Sequence, residues 1–517
     1  MKKDVIVIGA GCAGMVAALE AYAEGAGVVI VDRGPIGIGN NSALAGGGFA
    51  GPTRHYNTEE YVKDTLQIGK GINRESMVRL MAKEAPHAFS FLYSLGLDLV
   101  EHSIGYHITS TRADLIPGVT LVKALAARIK DLSAIDVLTN LYVTHIFKDE
   151  EKVYGVKGFN KEGNEVFIHA PAVVLATGGA GAIYLRNDNQ KGIMGQGYYL
   201  AAKAGLDLWD MEFVQFHPIV IAQPGLPSTL FLARPREARL INANGDDLAT
   251  KYRIDDILKA TITRRDEMSA ILFQEGLKGP VYLDCRSVPV SYWDKHPLRR
   301  IKFDFRKEPL AVSPAVHFFM GGVRTDESGQ TSLPGLFACG EVVWGLHGAN
   351  RRGGNALTEC VVFGRIAGQS AARHALTHHI SPSTPKELQK DVLHRPSSLG
   401  MLKELRRRIR ETAWRCAGVV RSAKGLSDGL AMIIDLEGEL KELAPQTVAE
   451  RKLKEDLLSA AFVLKTVLVA SISRQESRGS FIREDFPQQD DLKWRKNSCL
   501  TYDLVRDNFS LAHYSND

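Results

Sequence analysis

The sequence predicts an α/β fold organised on a parallel β-sheet, and three adjacent segments carry this prediction. The β-branched run Val5–Ile8 is followed by a glycine-rich loop and then by the Ala-rich, helix-like segment Met15–Glu24. A second β-branched run, Val28–Val31, comes next and ends at Asp32. Short apolar runs without alternation are typical of strands buried on both faces of a parallel sheet. Together the three segments form a predicted βαβ unit of about 30 residues.

The loop inside this unit has glycines at the spacing that dinucleotide-binding loops require. Gly9 permits a tight turn, Gly11 lets a pyrophosphate approach the backbone, and Gly14 lets helix and strand pack closely. The start of the helix offers free N–H groups and a positive dipole to phosphates. Because strand, loop, helix and acid all occur in order, we expect a bound dinucleotide. Its predicted contacts here are Gly9, Gly11, Cys12, Ala13, Gly14, Asp32 and Arg33.

Composition excludes several other classes of protein. The 517 residues are 45% hydrophobic and 24% charged, with a formal net charge of +5, so a nucleic-acid partner is not expected. The six cysteines are scattered without a CxxC pair, which argues against an intrinsic iron–sulfur cluster or zinc site. No signal peptide and no apolar run of about 20 residues is recognised. We therefore expect a cytoplasmic protein without a metal.

Four further segments distinguish between the possible dinucleotides. A polar, glycine-rich loop, Asn40–Gly48, follows the second strand. Ala172–Gly179 (AVVLATGG) and Leu333–Glu341 (LPGLFACGE) each resemble a buried strand that ends in glycine. His347–Leu357 (HGANRRGGNAL) leads into an apolar helix that extends to Ala367.

With these motifs, and with Glu476–Gly479 and Arg483–Pro487 near the end, the sequence resembles the fumarate reductase, succinate dehydrogenase and L-aspartate oxidase flavoprotein family over nearly the whole chain. The resemblance implies FAD as the cofactor. It also implies a Rossmann-like FAD-binding domain at 1–218 and 318–375, an inserted α+β capping domain at 219–317, and a C-terminal helical domain at 385–490, followed by a tail at 491–517. A Pro- and Ser-containing linker at 381–385 precedes the helical domain.

The resemblance assigns a second group of FAD contacts and one departure from the family. Glu341 is expected at the ribityl chain, and the backbone of Asn355, Ala356 and Leu357 at the pyrimidine edge of the flavin. Asn41 aligns with the histidine to which some relatives attach FAD covalently, so we expect noncovalent FAD. The remaining expected contacts are Ser42, Gly46, Gly47, Gly48, Thr177, Gly178 and Gly179.

Five residues are candidates for the chemistry. By resemblance, His217 and His317 hydrogen-bond a substrate carboxylate, and Arg351 binds that carboxylate through its planar guanidinium. Arg265, rather than its neighbour Arg264, aligns with the proton-donating arginine of the family, and Arg234 aligns with an arginine that relays protons to it. A histidine on an apolar strand is more often structural, but these two occur at both crossings between the FAD-binding and capping domains.

The pattern also breaks at two places. Leu230 and Phe231 occupy the positions of a Thr-Glu pair that contacts the second carboxylate and relays protons. Either Glu237, with Arg236 or Arg239, rebuilds this relay, or the substrate has one carboxylate and an apolar end. Arg352 occupies a position that is usually apolar, and the resemblance gives it no role.

The leading functional hypothesis is therefore a fumarate-reductase-like enzyme that transfers a hydride between FAD and a small carboxylate. The alternatives are an aryl-acrylate-type enoate reductase, an L-aspartate oxidase, a relative of the adenylylsulfate reductase flavoprotein, and an electron-transfer subunit without its own carboxylate chemistry. Since no second dinucleotide site is recognised, electrons must enter or leave through another protein, such as an iron–sulfur partner subunit, through a free carrier, or through oxygen. Membrane contact is expected only through a partner.

Overall fold

The computed structural model describes residues 1–110, 115–149, 152–228, 235, 237–293, 303–378 and 395–515. Five residues to which the sequence analysis gave a place, Leu230, Phe231, Arg234, Arg236 and the linker residue Pro385, lie outside the described part.

The helices of the described chain fall into groups before, within and after the capping region. They are α1 (Cys12–Ala23), α2 (Thr58–Ile68), α3 (Glu75–Ser94), α4 (Pro117–Lys130), α5 (Gln196–Lys203), α6 (Leu248–Tyr252), α7 (Ile257–Thr263), α8 (Arg265–Lys278), α9 (Val290–Trp293), α10 (Asn355–Thr377), α11 (Leu399–Cys416), α12 (Ala423–Lys441), α13 (Val448–Ser473) and α14 (Asp491–Trp494).

The strands belong to several small sheets. They are β1 (Val5–Ile8), β2 (Val28–Val31), β3 (Gly48–Ala50), β4 (Leu99–His102), β5 (Gly105–Ile108), β6 (Ile135–Leu138), β7 (Tyr142–Lys148), β8 (Val153–Phe159), β9 (Glu165–His169), β10 (Ala172–Leu175), β11 (Leu208–Trp209), β12 (Val214–Ile221), β13 (Arg239–Ile241), β14 (Val281–Asp284), β15 (Leu310–Phe319), β16 (Gly322–Val323), β17 (Leu336–Ala338), β18 (Arg395–Pro396), β19 (Val420–Arg421), β20 (Leu443–Ala444), β21 (Ile482–Arg483), β22 (Lys496–Asp503) and β23 (Asn508–Ser515).

The central sheet has the parallel order β17-β10-β1-β2-β6, which confirms the predicted βαβ unit. The β-branched residues of β1, β2 and β10 are buried. Val5 and Val7 belong to an apolar cluster with residues of α1 and α10, whereas Ile6 and Ile8 belong to one that includes residues of the β7-β8-β9 sheet. On one face α1 and α10 pack in close contact. An added Cβ at Gly368 of α10 would lie 2.2 Å from the carbonyl oxygen of Ala17 in α1. The glycine therefore allows the two helix backbones to meet.

The capping region is built on the antiparallel sheet β12-β15-β14-β13 and on α6 to α9. It has an apolar core of its own, which includes Leu240, Leu258, Leu272 and Leu283. The predicted boundaries near 218 and 318 fall inside β12 and β15, two paired strands that run from the FAD-binding region into the cap. Residues on these strands are therefore held between the two regions.

Helices α11, α12 and α13 form a C-terminal bundle whose apolar residues join the main core. Within the described chain, α13 is long and apolar enough to cross a membrane, but most of its apolar window is buried inside the protein, as in a core helix. The segment from 491 onward, expected only as a tail, contains the hairpin β22–β23. This hairpin pairs with β11, so the end of the chain returns to the FAD-binding region.

Candidate active site and cofactor cleft

A cleft of about 340 Å³ opens at the carboxyl ends of the central strands, where open α/β sheets bind their ligands. Twelve of the predicted FAD contacts line it. They are Gly9, Gly11, Cys12, Ala13, Asp32, Arg33, Asn41, Ser42, Thr177, Gly178, Gly179 and Glu341.

The three glycines of the first loop differ in what surrounds them. Gly9 has φ +108°, and an added Cβ would lie 2.3 Å from the carbonyl oxygen of Ala176, so the turn needs glycine. An added Cβ at Gly14 would lie 1.9 Å from the carbonyl oxygen of Gly9, in the contact between helix and strand. At Gly11 the nearest atom is Ser42 Oγ at 3.8 Å. Gly11 thus leaves room in the cleft for a ligand.

Charged groups surround the cleft at the end of β2. The carboxylate of Asp32 accepts backbone N–H groups from Ala10 and Gly34, both at 2.7 Å, and each oxygen keeps a lone pair for a ribose hydroxyl. Burial raises the pKa of this carboxyl group. Lys452 of α13 also lines the cleft and supplies a positive charge. The guanidinium of Arg33 is engaged by Asp456, at 2.8 and 2.7 Å, and so holds α13 against the cleft.

Two buried polar side chains fit a bound FAD. Thr177 Oγ1 is buried and has no hydrogen-bond partner within the described residues. Glu341 accepts the backbone N–H of Phe319 at 3.1 Å, and burial raises its pKa to about 7. A dinucleotide diphosphate binds to an open glycine loop, a helix N-terminus, a lysine and a hydroxyl group that can still form hydrogen bonds. The residues present therefore fit FAD.

The remaining predicted FAD contacts are not among the residues that line the cleft. Gly47 has φ +85° and packs against Pro117, whereas an added Cβ at Gly48 would meet no atom within 4 Å in the described structure. Asn355 begins α10 and is fully buried; its Oδ1 accepts the hydroxyl of Tyr61 at 2.9 Å. With Asn355, Ala356 and Leu357 form the first turn of α10, where backbone N–H groups lack helical partners. Gly46 precedes this pair of glycines in the same loop.

A chain of hydrogen bonds connects the cleft to one of the two histidine candidates. Asn41 Nδ2 donates to Asn189 Oδ1 at 2.6 Å, and Asn189 Nδ2 donates to Asp188 Oδ1 at 3.1 Å. Asp188 Oδ2 lies 2.8 Å from His317 Nδ1. Asn41, at the position where some relatives carry histidine, is thus a structural link between the FAD loop and His317.

The two histidines come together where β12 and β15 cross between the regions. Their ring centroids lie 5.6 Å apart. His217 Nδ1 accepts the backbone N–H of Ile219 at 3.3 Å, so in the neutral form Nε2 carries the proton and is a donor. Burial lowers the pKa of His317, with Arg351 and Arg265 acting in the same direction and Asp188 opposing them. His317 is therefore neutral near pH 7.

Arg351 is a buried cation that forms no direct ion pair within the described residues. Its side chain is 6% exposed, and within the described residues no carboxylate lies within 4.0 Å of it. Nη1 donates to the carbonyl oxygen of Arg352 at 3.1 Å, and the guanidinium lies 4.7 Å from the ring centroid of Phe318. Nε is buried without a partner among the same residues. Burial lowers the pKa of Arg351 to about 10, although the carboxylates of Glu341, Glu359 and Asp188 favour its charged form.

Arg264 and Arg265 point in different directions from the start of α8. Arg264 is exposed and paired with Glu267. Arg265 is half-buried, and its Nη1 donates to Gln215 Oε1 at 3.3 Å. The amide of Gln215 in turn donates to Asn350 Oδ1 and to the Arg351 carbonyl oxygen, at 2.7 and 2.8 Å. Gln215 thus links the guanidinium of Arg265 to the backbone of Arg351.

Some residues of the site were not predicted, and one predicted set is not brought together. Gln215 precedes His217 by two residues on β12, so strand alternation could have identified it. Asp188 and Lys452 had no comparable sequence signal. Arg239 is paired with Asp284 at 3.2 Å on the surface of the cap, and Glu237 is exposed. The geometry therefore gives no support to a relay through Glu237 and Arg239, and Arg234 lies outside the described residues.

The geometry agrees with what comparison with known proteins finds. The model of an FAD-binding domain matches residues 4–357, and that of the fumarate reductase flavoprotein C-terminal region matches residues 406–514. One chain of the CoM/CoB fumarate reductase of Methanothermobacter marburgensis is 32% identical, over 96% of this chain and 96% of that protein. The L-aspartate oxidase of Streptomyces coelicolor is also 32% identical, over 96% of this chain and 90% of the enzyme.

A solved structure shows the same architecture. A variant of FrdA from E. coli quinol fumarate reductase superimposes with a TM-score of 0.86 at 25% identity, and the match covers 100% of this chain and 97% of FrdA. The predicted combination of a Rossmann-like FAD-binding domain, a capping domain and a C-terminal helical domain is therefore confirmed. This chain belongs to the fumarate reductase and succinate dehydrogenase flavoprotein family, and it is an FAD-dependent oxidoreductase.

Proposed function

We propose that the protein moves a hydride between FAD and a carbon next to the carboxylate of a small substrate, as in fumarate reduction or succinate oxidation. The observation that carries this proposal is Arg351, a buried guanidinium with no carboxylate within 4.0 Å in the described part of the chain. A buried charge without a partner is costly, so a site that retains one is suited to an anionic ligand. The neighbouring histidines and Arg265 make that ligand a reactant.

Each side chain has a part in this reaction. Bound FAD supplies or accepts the hydride at its flavin ring. Arg351 binds the carboxylate with two parallel N–H groups, and His217 donates from Nε2 to the same group or to a neighbouring oxygen. His317, fixed by Asp188, closes the site and accepts or donates at Nε2 according to its protonation.

Arg265 is the proposed proton donor to the carbon next to the one that receives the hydride. It is the first residue of α8, where the helix dipole disfavours further positive charge. That environment suits a group that must release a proton in the transition state. Gln215 holds one end of the guanidinium, and so fixes its direction toward Arg351. General acid catalysis from a positioned group contributes about 10² to 10⁴ in rate.

A second candidate is an enoate reductase whose substrate has one carboxylate and an apolar end. The ring of Phe318 lies against the Arg351 guanidinium and belongs to an apolar cluster with Ile72, Phe213 and Met320. An apolar wall beside a single carboxylate clamp favours a substrate of this kind. The predicted replacement of the Thr-Glu pair by Leu230 and Phe231 points the same way, although those positions lie outside the described residues.

Anaerobic reoxidation of the reduced protein tests the proposal. The protein is reduced with dithionite, and recovery of flavin absorbance is followed after adding fumarate or cinnamate; in parallel, the oxidised protein is mixed with L-aspartate. Rapid recovery with fumarate supports the dicarboxylate reaction, and recovery only with cinnamate supports the second candidate. Flavin reduction by L-aspartate would instead make the protein an amino-acid oxidase. Inertness toward all three would contradict carboxylate chemistry at this site.

We further propose that FAD is held noncovalently, because both ends of the Asn41 amide are engaged by Asn189 and Gln190 and an amide makes no bond to the flavin. Acid precipitation should therefore leave the FAD in the supernatant. The related proteins that belong to multi-subunit enzymes support a role for an electron-transfer partner, for which an iron–sulfur subunit is our proposal. We propose a cytoplasmic location, with any membrane contact made through that partner.

A further inference from the structure

The arginine that the family resemblance left without a role is buried in an aromatic cage. Arg352 is 7% exposed. Its guanidinium lies 4.9 Å from the ring centroid of Tyr56 and 5.1 Å from that of Tyr61, and its Nη1 donates to the Tyr56 hydroxyl at 2.7 Å. Two aromatic faces and one hydroxyl stabilise a desolvated cation and fix its position. The charge is therefore a rigid feature of the site.

Only one carboxylate in the described chain lies within 4.0 Å of this cation, and the contact is long. Asp64 Oδ2 lies 4.0 Å from Arg352 Nη2, at the limit of an ion pair. The same oxygen accepts the hydroxyl of Tyr56 at 2.6 Å, and the Asp64 side chain is 47% exposed. Solvent screens an exposed carboxylate more than a buried guanidinium. Asp64 consequently offsets little of the positive charge that Arg352 exerts inside the protein.

The cage is joined to the first turn of α10. The Tyr61 hydroxyl, beside the guanidinium, donates to Asn355 Oδ1 at 2.9 Å. The backbone N–H of Asn355 donates to the Arg352 carbonyl oxygen at 3.3 Å. This turn ends against β3, where Thr358 Oγ1 donates to the Ala50 carbonyl oxygen at 2.7 Å. The fixed cation and the positive end of the 23-residue helix α10 thus both contribute positive potential at the first turn of this helix.

We propose that Arg352 is a redox-tuning residue, whose buried charge at the start of α10 makes the protein bind reduced FAD more tightly than oxidised FAD and so raises the midpoint potential. Uptake of two electrons and one proton converts a neutral flavin ring into an anion, and a nearby positive charge favours the anion. The inference rests on the proposed position of the flavin pyrimidine edge at Asn355, Ala356 and Leu357. It does not depend on which carboxylate is the substrate.

Potentiometric titration of the FAD-loaded protein without substrate tests the inference. It uses two variants whose midpoint potentials are expected to shift in opposite directions. Arg352→Met removes the charge and keeps most of the volume. We expect about a tenfold loss of the preference for reduced FAD, which lowers the midpoint by about 30 mV for a two-electron couple. Asp64→Asn removes the counter-charge, and its amide oxygen can still accept from Tyr56. The midpoint should therefore rise.

Two further variants separate charge from structure. Arg352→Lys keeps the charge and should retain a midpoint between those of Arg352→Met and the unaltered protein. Arg373→Met removes a charge from the exposed end of the same helix, where Arg373 pairs with Glu24, and should leave the midpoint unchanged. If Arg352→Met loses FAD, the Asp64→Asn and Arg352→Lys variants still give the answer.

Equal midpoints for the unaltered protein, Arg352→Met and Asp64→Asn would overturn the inference. A midpoint that falls equally in Asp64→Asn and Arg352→Met would also overturn it, because loosening of the cage rather than charge would then be responsible. Failure of the carboxylate reaction would be recognised separately, since the titration contains no substrate. A shifted midpoint in a protein inert toward fumarate and cinnamate would retain the tuning role and reject the proposed function.

Discussion

The cofactor cleft and the candidate active site are adjacent, but they are built in different ways. The cleft is built around the glycine loop of a continuous βαβ unit, and its acid, Asp32, already accepts two backbone N–H groups. The active site is formed by side chains from β12, β15, α8 and the loop before α10. Its cation Arg351 has no carboxylate within 4.0 Å in the described part of the chain.

The cofactor cleft is thus defined mainly by backbone shape, and the active site mainly by positive charge. In the cleft, the backbone conformation of the glycine loop sets what can bind, and Asp32 and Arg33 already have partners in the protein. In the active site, packing holds Arg351 without a direct ion-pair partner in the described chain, and a substrate carboxylate can fill that place. We therefore expect substitutions in the cleft to act on folding and FAD content, and substitutions in the active site to act on turnover with FAD still bound.

The largest effect should come from backbone shape in the cleft. Gly14→Ala places a Cβ 1.9 Å from the carbonyl oxygen of Gly9, so α1 must move away from β1. Overpacking of this kind typically costs about 1–3 kcal/mol and here also separates the loop from the FAD. We expect the protein to purify without FAD and to melt at a lower temperature, as measured by absorbance and calorimetry.

Gly11→Ala is the matched control, because its nearest neighbour would be 3.8 Å away. The FAD-free protein should keep its melting temperature, and only FAD affinity should fall. A Gly14→Ala protein with full FAD content would mean that the contact between α1 and β1 does not set the shape of the cleft.

The next effect should come from the proposed proton donor. Arg265→Lys keeps a positive charge but loses the planar guanidinium and its contact with Gln215. We expect turnover to fall about 10³-fold while FAD content and dithionite reduction are unchanged. Arg264→Lys is the control, since Arg264 pairs with Glu267 at the surface. Equal losses in the two variants would remove the distinction between these neighbours.

A smaller effect is expected at the carboxylate clamp. Arg351→Lys retains the charge and loses bidentate binding, so kcat/KM should fall about a hundredfold, mostly through KM. Arg365→Lys, on the outer face of α10 with Glu20 as its partner, should behave as the unaltered protein does. An unchanged KM with a reduced kcat would show that Arg351 acts on the transition state rather than on substrate binding.

The same contrast explains how much the sequence predicted. The βαβ unit was predicted correctly because its strand, loop, helix and acid are consecutive, and Gly9 and Gly14 have local steric reasons. The fold class and the glycine loop before α1 follow from such short-range rules. His217, His317 and Arg351 were singled out because they occur in recognisable motifs. The structure brings the two histidine rings to 5.6 Å on the paired strands β12 and β15, and Arg351 lies against Phe318 of β15.

What the sequence did not predict depends on contacts between distant segments. Lys452 reaches the cleft from α13 because Arg33 is held by Asp456, and neither residue has a local signal for this pairing. Asp188 acts through His317, 129 residues further along the chain. The final hairpin, expected only as a tail, is ordered by pairing with β11. Such contacts follow from the tertiary fold and not from local propensity.

The smallest expected effect is a pH dependence at the boundary between the two regions, where Glu341 lines the cleft and accepts the N–H of Phe319. Burial raises its pKa from about 4.5 to about 7 in the folded protein without FAD. Glu341 then binds more protons in the folded state than in the unfolded state between these values, so its contribution to stability is greatest below about pH 4.5 and is lost as pH rises toward 7.

Glu341→Gln removes the titration and keeps a side chain that can accept from Phe319. The difference in unfolding free energy between the unaltered protein and the Glu341→Gln variant, both free of FAD and measured by denaturant titration from pH 4.5 to 8, should therefore change steadily across the window and level off above about pH 7. Subtraction cancels the titration of all other groups. A difference that is independent of pH would mean that Glu341 is already ionised in the empty cleft, and that the cleft, like the active site, retains an unmatched charge.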